Sequence, residues 1–457
     1  MDAPFSTRTE VEFDPAALEA RARGFLFLVL EADRALAGGA RYSLDEVDEV
    51  VVGRGPKGGP RQSTRTKEGK GRLEIRAGGP FLSKDHALFR RSGDAWTVED
   101  LGSQNGVQVN WKQIEGTTQL DSGDLISLGR LYFIFQIEES EELPDVEIAD
   151  VIAEPSGFLT LVPDLHRRLK RLRHEATRST SITIIGETGT GKEVMAKAIH
   201  EISGRKGAYI GINCGAIPKD LIQSELFGHL KSAFTGAEGR SGYIRDAHQG
   251  TLLLDEIVAA PEQVQVSLLR VIQERTVTPL GSSRPHPVDV RFIAAAQRPL
   301  AEVVGEGAFR EDLRARLASF NFDLPPLRER VEDVGILVGS ALRSLGVTEK
   351  DKPRISSGAA VRLLRHDWPM NIRELAQSVD VAWGAAQNGE MGENDFPKPK
   401  ADDGSSSTAR LKQQLIAHLR ATKGNLAEVA RRMKRPRSTI HFFLDRYGLD
   451  ANTFRAD

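Results

Sequence analysis

One stretch constrains this chain more than any other. The apolar segment SITIIG (181–186) runs into GETGTGK (186–192), and EVMAKAIHEIS (193–203) follows with helical periodicity. Strand, glycine-rich turn and helix in that order make a phosphate-binding loop. The glycines let the backbone wrap close to an anion, the helix N-terminus faces it, and a lysine reaches the terminal phosphates. Gly186, Glu187, Thr188, Gly189, Thr190, Gly191, Lys192 and Glu193 are therefore the candidate nucleotide-binding residues. Glu193 stands where a generic loop of this kind has Ser or Thr. Sixty-three residues after Lys192, the apolar run TLLLDE ends in Asp255 and Glu256. Asp255 suits a magnesium ion and Glu256 suits polarising a water for attack on a phosphate.

Around these motifs, apolar runs (ITIIG, YIGIN, TLLLDEI, VRFIAAA) alternate with helical stretches, which predicts a parallel α/β sheet. Two segments divide the chain. Residues 138–150 hold seven acidic residues and no basic one, so self-repulsion is expected to keep them extended. Residues 394–407 mix Pro, Gly, Ser and charge without apolar periodicity. Before the first, short runs such as FLFLVL (25–30), AWTVEDL (95–101), LISL (125–128) and LYFIFQI (131–137) alternate with turn residues and predict a β-sandwich. After the second, the chain is helical. A chain of 457 residues accommodates three domains of this kind.

Charge is unevenly distributed. From Thr408 to Asp457 there are 11 Lys/Arg against 4 Asp/Glu, a net of +7, so the remainder carries -9 of the total -2. A basic patch confined to one small helical block is the footprint of nucleic-acid binding. NLAEVARRM (425–433) puts Leu426, Val429, Ala430 and Met433 on one face, with Asn425 as N-cap. RSTIHFFLDRYGL repeats the pattern with Ile440, Phe443, Leu444 and Tyr447. Two short helices with a tight break predict a helix-turn-helix, with Arg437, Ser438, Thr439, His441 and Phe442 at the exposed start of the second helix as DNA readers. The single cysteine, Cys214, excludes a disulfide framework. With no apolar membrane span or signal peptide in the sequence, a cytoplasmic protein that makes no membrane contact is expected.

The stretch from about 155 to 392 resembles the AAA+ ATPases that activate sigma-54 RNA polymerase, the bacterial enhancer-binding proteins. The matching stretches include GETGTGKEVMAKAIH, INCGAIPKDLIQSELFGHLKSAFTGA, GTLLLDEI, FREDLRARL, LPPLRERVEDV and WPMNIREL. The resemblance implies ATP and Mg2+ as cofactors, with Asp255 on the metal, and a homo-oligomer, dimeric when inactive and hexameric when active. Asn213 would be a switch residue controlling Glu256. Arg310 and Arg316 would be arginine fingers offered to a neighbouring subunit, and Arg373 a sensor on the helical lid. Phe234, Thr235, Gly236 and Ala237 would contact the sigma factor. This chain departs from the family pattern at Ser232, Ala296, Gln297, Arg314 and Met370. The terminal block resembles the Fis-type domain of the same activators.

The β block carries VVGR (51–54), SKDHALF (83–89), WTVEDLGSQNGVQVN (96–110) and GDLISLG (123–129) in order, and resembles a forkhead-associated (FHA) domain. Arg54 offers a planar charged fork to a phosphate, Ser83 a hydroxyl and Asn105 an amide for a peptide backbone, with Lys84 and Gln104 beside them. His86, Gly53 and Gly106 are expected to shape the loops. Between Arg54 and Arg72 lie seven basic residues and one acidic residue, read as a mobile, solvated insertion or a supplementary phosphate or DNA contact.

The expected organisation is multidomain: an FHA β-sandwich (22–138), an acidic linker (139–154), an α/β AAA+ subdomain (155–325), its helical lid (326–393), a linker (394–407) and a helix-turn-helix (408–457). The expected partners are sigma-54 RNA polymerase holoenzyme, double-stranded DNA at an upstream activating site, and a phosphothreonine-containing protein or Ser/Thr kinase. The expected activity is ATP-driven opening of promoter DNA. The alternative is a DNA-binding, phosphoprotein-responsive regulator that has lost sigma-54 coupling.

Overall fold

The computed structural model describes residues 21–56, 59–66, 71–93, 95–140, 143–147, 157–231, 239–398, 407–433, 440, 443–444 and 449–454. No helix among them is long and apolar enough to cross a membrane.

The N-terminal block is a sandwich of two six-stranded sheets. One sheet is centred on the antiparallel pair Arg21–Glu31 and Leu131–Ser140. The other runs through Thr117–Leu120, Ala95–Asp100, Ala87–Ser92, Glu49–Arg54, Arg72–Ala77 and Gln62–Thr66. Strand Arg21–Glu31 explains why FLFLVL is apolar without alternation. Its Leu26 and Leu28 enter the sandwich core, while Phe25, Phe27 and Val29 point the other way into a second core. A strand whose successive side chains face opposite sides needs unbroken apolar sequence only when both sides are buried.

The second core belongs to the helical region that follows the parallel sheet, the expected lid. Val334, Ile336, Val338 and Leu342, on helix Val334–Ser344, pack with Phe25, Phe27 and Val29. Gly335 permits the approach: a Cβ there would fall 2.2 Å from the Val29 carbonyl oxygen. Backbone bonds from Ile355 N–H to Ala32 O (2.7 Å) and from Ala35 N–H to Pro353 O (3.0 Å) complete the junction. Sandwich and lid thus share one hydrophobic cluster.

Two charge-based expectations are corrected here. The insertion after Arg54 forms strand Gln62–Thr66, paired with Arg72–Ala77, and Arg61 has only 3% of its side chain exposed. Its guanidinium bonds Glu31 Oε2 at 2.8 Å and Glu147 Oε2 at 2.7 Å. Arg65 makes a two-pronged contact with Asp145 at 2.9 and 2.6 Å. Residues 143–147 of the acidic segment therefore lie against the sandwich, with Val146 bridging to Arg41. Repulsion among the carboxylates is overcome by arginines some 80 residues earlier, a pairing that local charge counting does not see.

The middle block is a five-stranded, all-parallel sheet in the order Tyr209–Asn213, Thr251–Asp255, Arg291–Ala296, Ile182–Ile185, Phe320–Asp323. Its helices bury one core on each face. The first helix, Pro163–Ala176, begins at the junction with the sandwich. There His166, held by burial and by Arg41 and Lys170, has its pKa lowered from 6.5 to about 4. The unfolded chain takes up this proton first, so stability falls as pH drops from about 6.5 toward 4. His166→Gln is expected to flatten that part of the Tm-against-pH curve; identical wild-type and variant curves would exclude the effect.

At the C-terminal end, helices Ser407–Ala421 and Leu426–Arg432 bury Leu415, Leu419, Leu426 and Val429 against Ile440, Phe443 and Leu444. Asn425 Oδ1 accepts from the Ala427 and Glu428 amides, an N-cap.

Candidate functional site

Strand Ile182–Ile185 lies between Arg291–Ala296 and Phe320–Asp323 and ends where Gly186 N–H donates to Ala296 O (3.0 Å). This pins the start of the loop to the neighbouring strand. Gly189 and Gly191 then take φ of 78° and 101°, which only glycine adopts without strain. The turn delivers Lys192 to the first position of helix Lys192–Ser203. Its ammonium curls back to donate to Gly186 O at 2.8 Å and Glu187 O at 3.0 Å. Burial lowers the Lys192 pKa and Arg373 adds to the lowering, while Asp255 and Glu256 oppose it. Four charged groups from three segments thus share one space, at the carboxyl ends of parallel strands.

Asp255 ends strand Thr251–Asp255, and its Oδ1 accepts from Glu256 N–H (2.9 Å). Glu256 sits in the left-handed region at φ 51°. Its carboxylate occupies the space beside Gly215, where a Cβ would lie 2.5 Å from Glu256 Oε2. Asn213 is opposite Asp255 in the strand register. Its Oδ1 accepts from Gly215 and Ala216 N–H at 2.8 and 3.1 Å, and no hydrogen bond joins Asn213 to Glu256. Gly215 was not singled out from the sequence, because a glycine in a turn carries no signal of what stands beside it.

The lid closes on the loop through contacts that sequence reasoning also missed. Asn371, wholly buried and at φ 56°, accepts from Leu327 N–H (2.8 Å) and donates to Thr188 O (2.9 Å) and Glu187 Oε2 (3.2 Å). Arg328 grips Glu187 at 2.8 and 2.6 Å, and this pairing is the main reason the Glu187 carboxyl titrates below its usual range. Buried Arg330 donates to Thr190 O (3.1 Å). Arg373 N–H reaches Gly189 O (3.3 Å), and a Cβ on Gly189 would fall 2.0 Å from Met370 O. The signal for these residues lay in LPPLRERVEDV and WPMNIREL, but only Arg373 was assigned from it.

Arg310 precedes helix Glu311–Leu317 and pairs with Asp312 (2.7 Å). Arg316, on the same helix, is exposed and has no ion-pair partner among the described residues. Neither bonds to the loop of its own chain. Phe234, Thr235, Gly236, Ala237 and Ser232 lie outside the described residues, as do Arg437, Ser438, Thr439, His441 and Phe442.

A second cluster forms at one end of the sandwich. Arg54 N–H donates to Ser83 O (2.8 Å), and Gln104 N–H donates to Ser83 Oγ (3.1 Å). Asn105 Nδ2 donates to Phe81 O (2.9 Å). His86, fully buried, ties these loops together through Ser83 N–H and Gly106 O. Arg54 and Lys84 are exposed and have no ion-pair partner among the described residues.

The loop, strands and lid define a P-loop protein of AAA+ type, joined to a sandwich. Comparison with known proteins agrees with that class. Residues 160–323 match the sigma-54 interaction domain, 328–413 the AAA+ ATPase lid domain and 50–129 the FHA domain. The transcriptional regulatory protein GlrR of Escherichia coli K12 is 38% identical over 314 residues, 65% of this chain and 70% of that protein. The acetoin catabolism regulatory protein of Cupriavidus necator is 36% identical over 379 residues, and the chain spans 55% of its length. Among solved structures, NtrX from Brucella abortus in complex with ATP is 27% identical, over 66% of this chain and 72% of that one, with a TM-score of 0.48. The chain belongs to the sigma-54-dependent transcriptional regulators and carries an FHA domain.

Proposed function

We propose that this regulator binds enhancer-like DNA through its basic C-terminal helix-turn-helix, assembles into a ring, and hydrolyses ATP to remodel sigma-54 holoenzyme into an open complex. Phosphothreonine, on a partner or on the protein itself, supplies the input through the FHA domain. The observation that carries this reading is the convergence of Lys192, Arg373, Asp255 and Glu256 inside a sigma-54 interaction domain.

The residues fit a nucleotide and its metal. The glycine loop turns at Gly189 and Gly191 with positive φ that leaves its amides free to face an anion, and two cations offer charge for a polyphosphate. Among the described residues no cluster of three or more potential ligands could hold a metal by itself. Magnesium binds through one or two carboxylates together with substrate phosphates and water, and Asp255 would supply the carboxylate here. Magnesium there would neutralise phosphate charge.

Lys192 is positioned to exchange its two loop carbonyls for phosphate oxygens. Glu256 accepts a proton from water aligned for in-line attack, and Asn213 holds the turn against which Glu256 rests. Arg310 and Arg316 are available to a neighbouring subunit's site, where an arginine supplied in trans stabilises transition-state charge and ties hydrolysis to assembly.

Asn371→Ala is expected to raise KM for ATP about tenfold with a smaller change in kcat. It leaves the Leu327 amide and the Thr188 carbonyl of the loop without their side-chain partner and removes one bond to the Glu187 carboxylate, a loss of about 1–3 kcal/mol; an unchanged KM in steady-state turnover would exclude a lid-to-loop role. Thr235→Ala should abolish open-complex formation while sparing basal ATP turnover, and unimpaired activation would refute the sigma contact.

The overall reading is tested by adding the protein and ATP to sigma-54 holoenzyme on promoter DNA. ATP-dependent opening supports it. ATP turnover by assembled oligomers without opening would instead favour a regulator uncoupled from sigma-54, consistent with Ser232 and Ala296 standing where the family pattern differs.

A further inference from the structure

The loops bearing Arg54, Ser83 and Asn105 do not end at the sandwich surface. Asn105 and Phe81 open onto a cleft of about 450 Å³, within the range of peptide and small-molecule sites. The far wall of this cleft is the lid: Ser357, Gly358 and Val361 from helix Ser357–Arg365. On the sandwich side stand Trp111 and Tyr132, their rings 6.0 Å apart. The junction is stiff. Arg130 lies over the Phe81 ring (4.3 Å) and ion-pairs with Asp33 (3.2 Å) and with Glu390 of the lid (2.9 Å). Tyr132 and Ser357 both line the cleft, one from each domain.

A chain of backbone-anchored contacts leads from the loops bearing Arg54 and Ser83 to the cleft. Arg54 bonds the Ser83 backbone, Ser83 Oγ bonds Gln104 N–H, and the next residue, Asn105, lines the cleft. We propose that a phosphothreonine peptide is read by two domains at once. Arg54 and Ser83 take the phosphate, and residues flanking the phosphothreonine lie in the cleft against Val361 and the first turn of helix Ser357–Arg365. This rests on the phosphothreonine reading of the FHA domain and adds the lid as its second half. A peptide seated there fastens the lid to the sandwich. The same lid carries Asn371 and Arg373, so occupancy of the cleft bears on the phosphate-binding loop.

The test uses the full chain and two fluorescent probes. One is a phosphothreonine peptide with flanks selected from a randomised pool; the other is the same phosphothreonine capped by a single alanine on each side. Arg54→Ala should lose both. Val361→Arg, which fills the cleft from the lid side, should bind the short probe within about twofold of wild type and the long probe about tenfold more weakly. Trp111→Ala, on the opposite wall, should give the same pattern, and retained binding of the short probe shows that the sandwich is folded. The long probe alone should slow hydrogen exchange in helix Ser357–Arg365. If both cleft variants bind the long probe like wild type, or exchange in that helix is unchanged, the two-domain site is overturned while the phosphothreonine reading stands. If wild type binds neither probe, or binds unphosphorylated peptide equally, both fall together.

Discussion

Glu256→Gln is expected to lower ATP turnover by about 10²- to 10⁴-fold, the usual contribution of a positioned proton acceptor, while nucleotide binding persists. The two functions separate because different groups serve them. In the proposed reading, affinity rests on the loop amides, Lys192 and the lid residues Asn371 and Arg373, which bond the loop. Glu256 stands apart, in a left-handed backbone conformation at the end of its strand, with its carboxylate in the space left by Gly215. Gln keeps the shape of Glu and removes the basicity, so the backbone is undisturbed. Steady-state turnover beside binding of a fluorescent nucleotide measures both. Turnover within about tenfold of wild type would remove Glu256 from the chemistry.

Arg61→Ala is expected to destabilise the sandwich and its acidic strap by about 3–5 kcal/mol, as when one partner of a buried ion pair is deleted. Arg61 serves Glu31, 1% exposed, and Glu147 together, and reaches Gly39 O at 3.4 Å. Burial already raises the Glu31 pKa despite Arg61 and Arg34, and without Arg61 that carboxylate keeps only the longer Arg34 pairing at 3.7 Å. Lysine should recover only part of the loss, because a single ammonium cannot span both carboxylates as the guanidinium fork does. Arg61→Ala with Glu31→Gln should also recover part, by removing the stranded charge. Hydrogen exchange of strand Arg21–Glu31 provides the measurement, with exchange expected to quicken about 10²- to 10⁴-fold. Exchange within about threefold of wild type would mean that the arginine carries no structural weight.

Both expectations show where sequence reasoning reaches. Lys192, Asp255 and Glu256 stand out because each lies within a few residues of the turn or strand end that aims it. The sandwich strands were legible for the same reason, since their boundaries are set by local turn residues. Asn371 was not legible as a partner of Glu187, 184 residues away. Nor was Arg61 as the partner of Glu147, because opposite charge in two distant segments names no pairing. The basic insertion and acidic segment read separately as solvated and extended, whereas together they make a strap across the sandwich.

By itself the sequence determined the phosphate-binding turn, the parallel sheet beneath it and the class of the sandwich and of the AAA+ block. Glycine's access to positive φ, two- and 3.6-residue periodicity and strand-end carboxylates are short-range properties that a linear chain displays directly. Only the tertiary structure decided that the outer face of strand Arg21–Glu31 would be covered by the lid, that a cleft would open between Asn105 and Val361, and that the lid would bond the loop through Asn371. Those outcomes depend on which desolvated surfaces and charges meet after the chain closes over a hundred or more residues. Burial is what makes them strong, and burial exists only once the domains have packed.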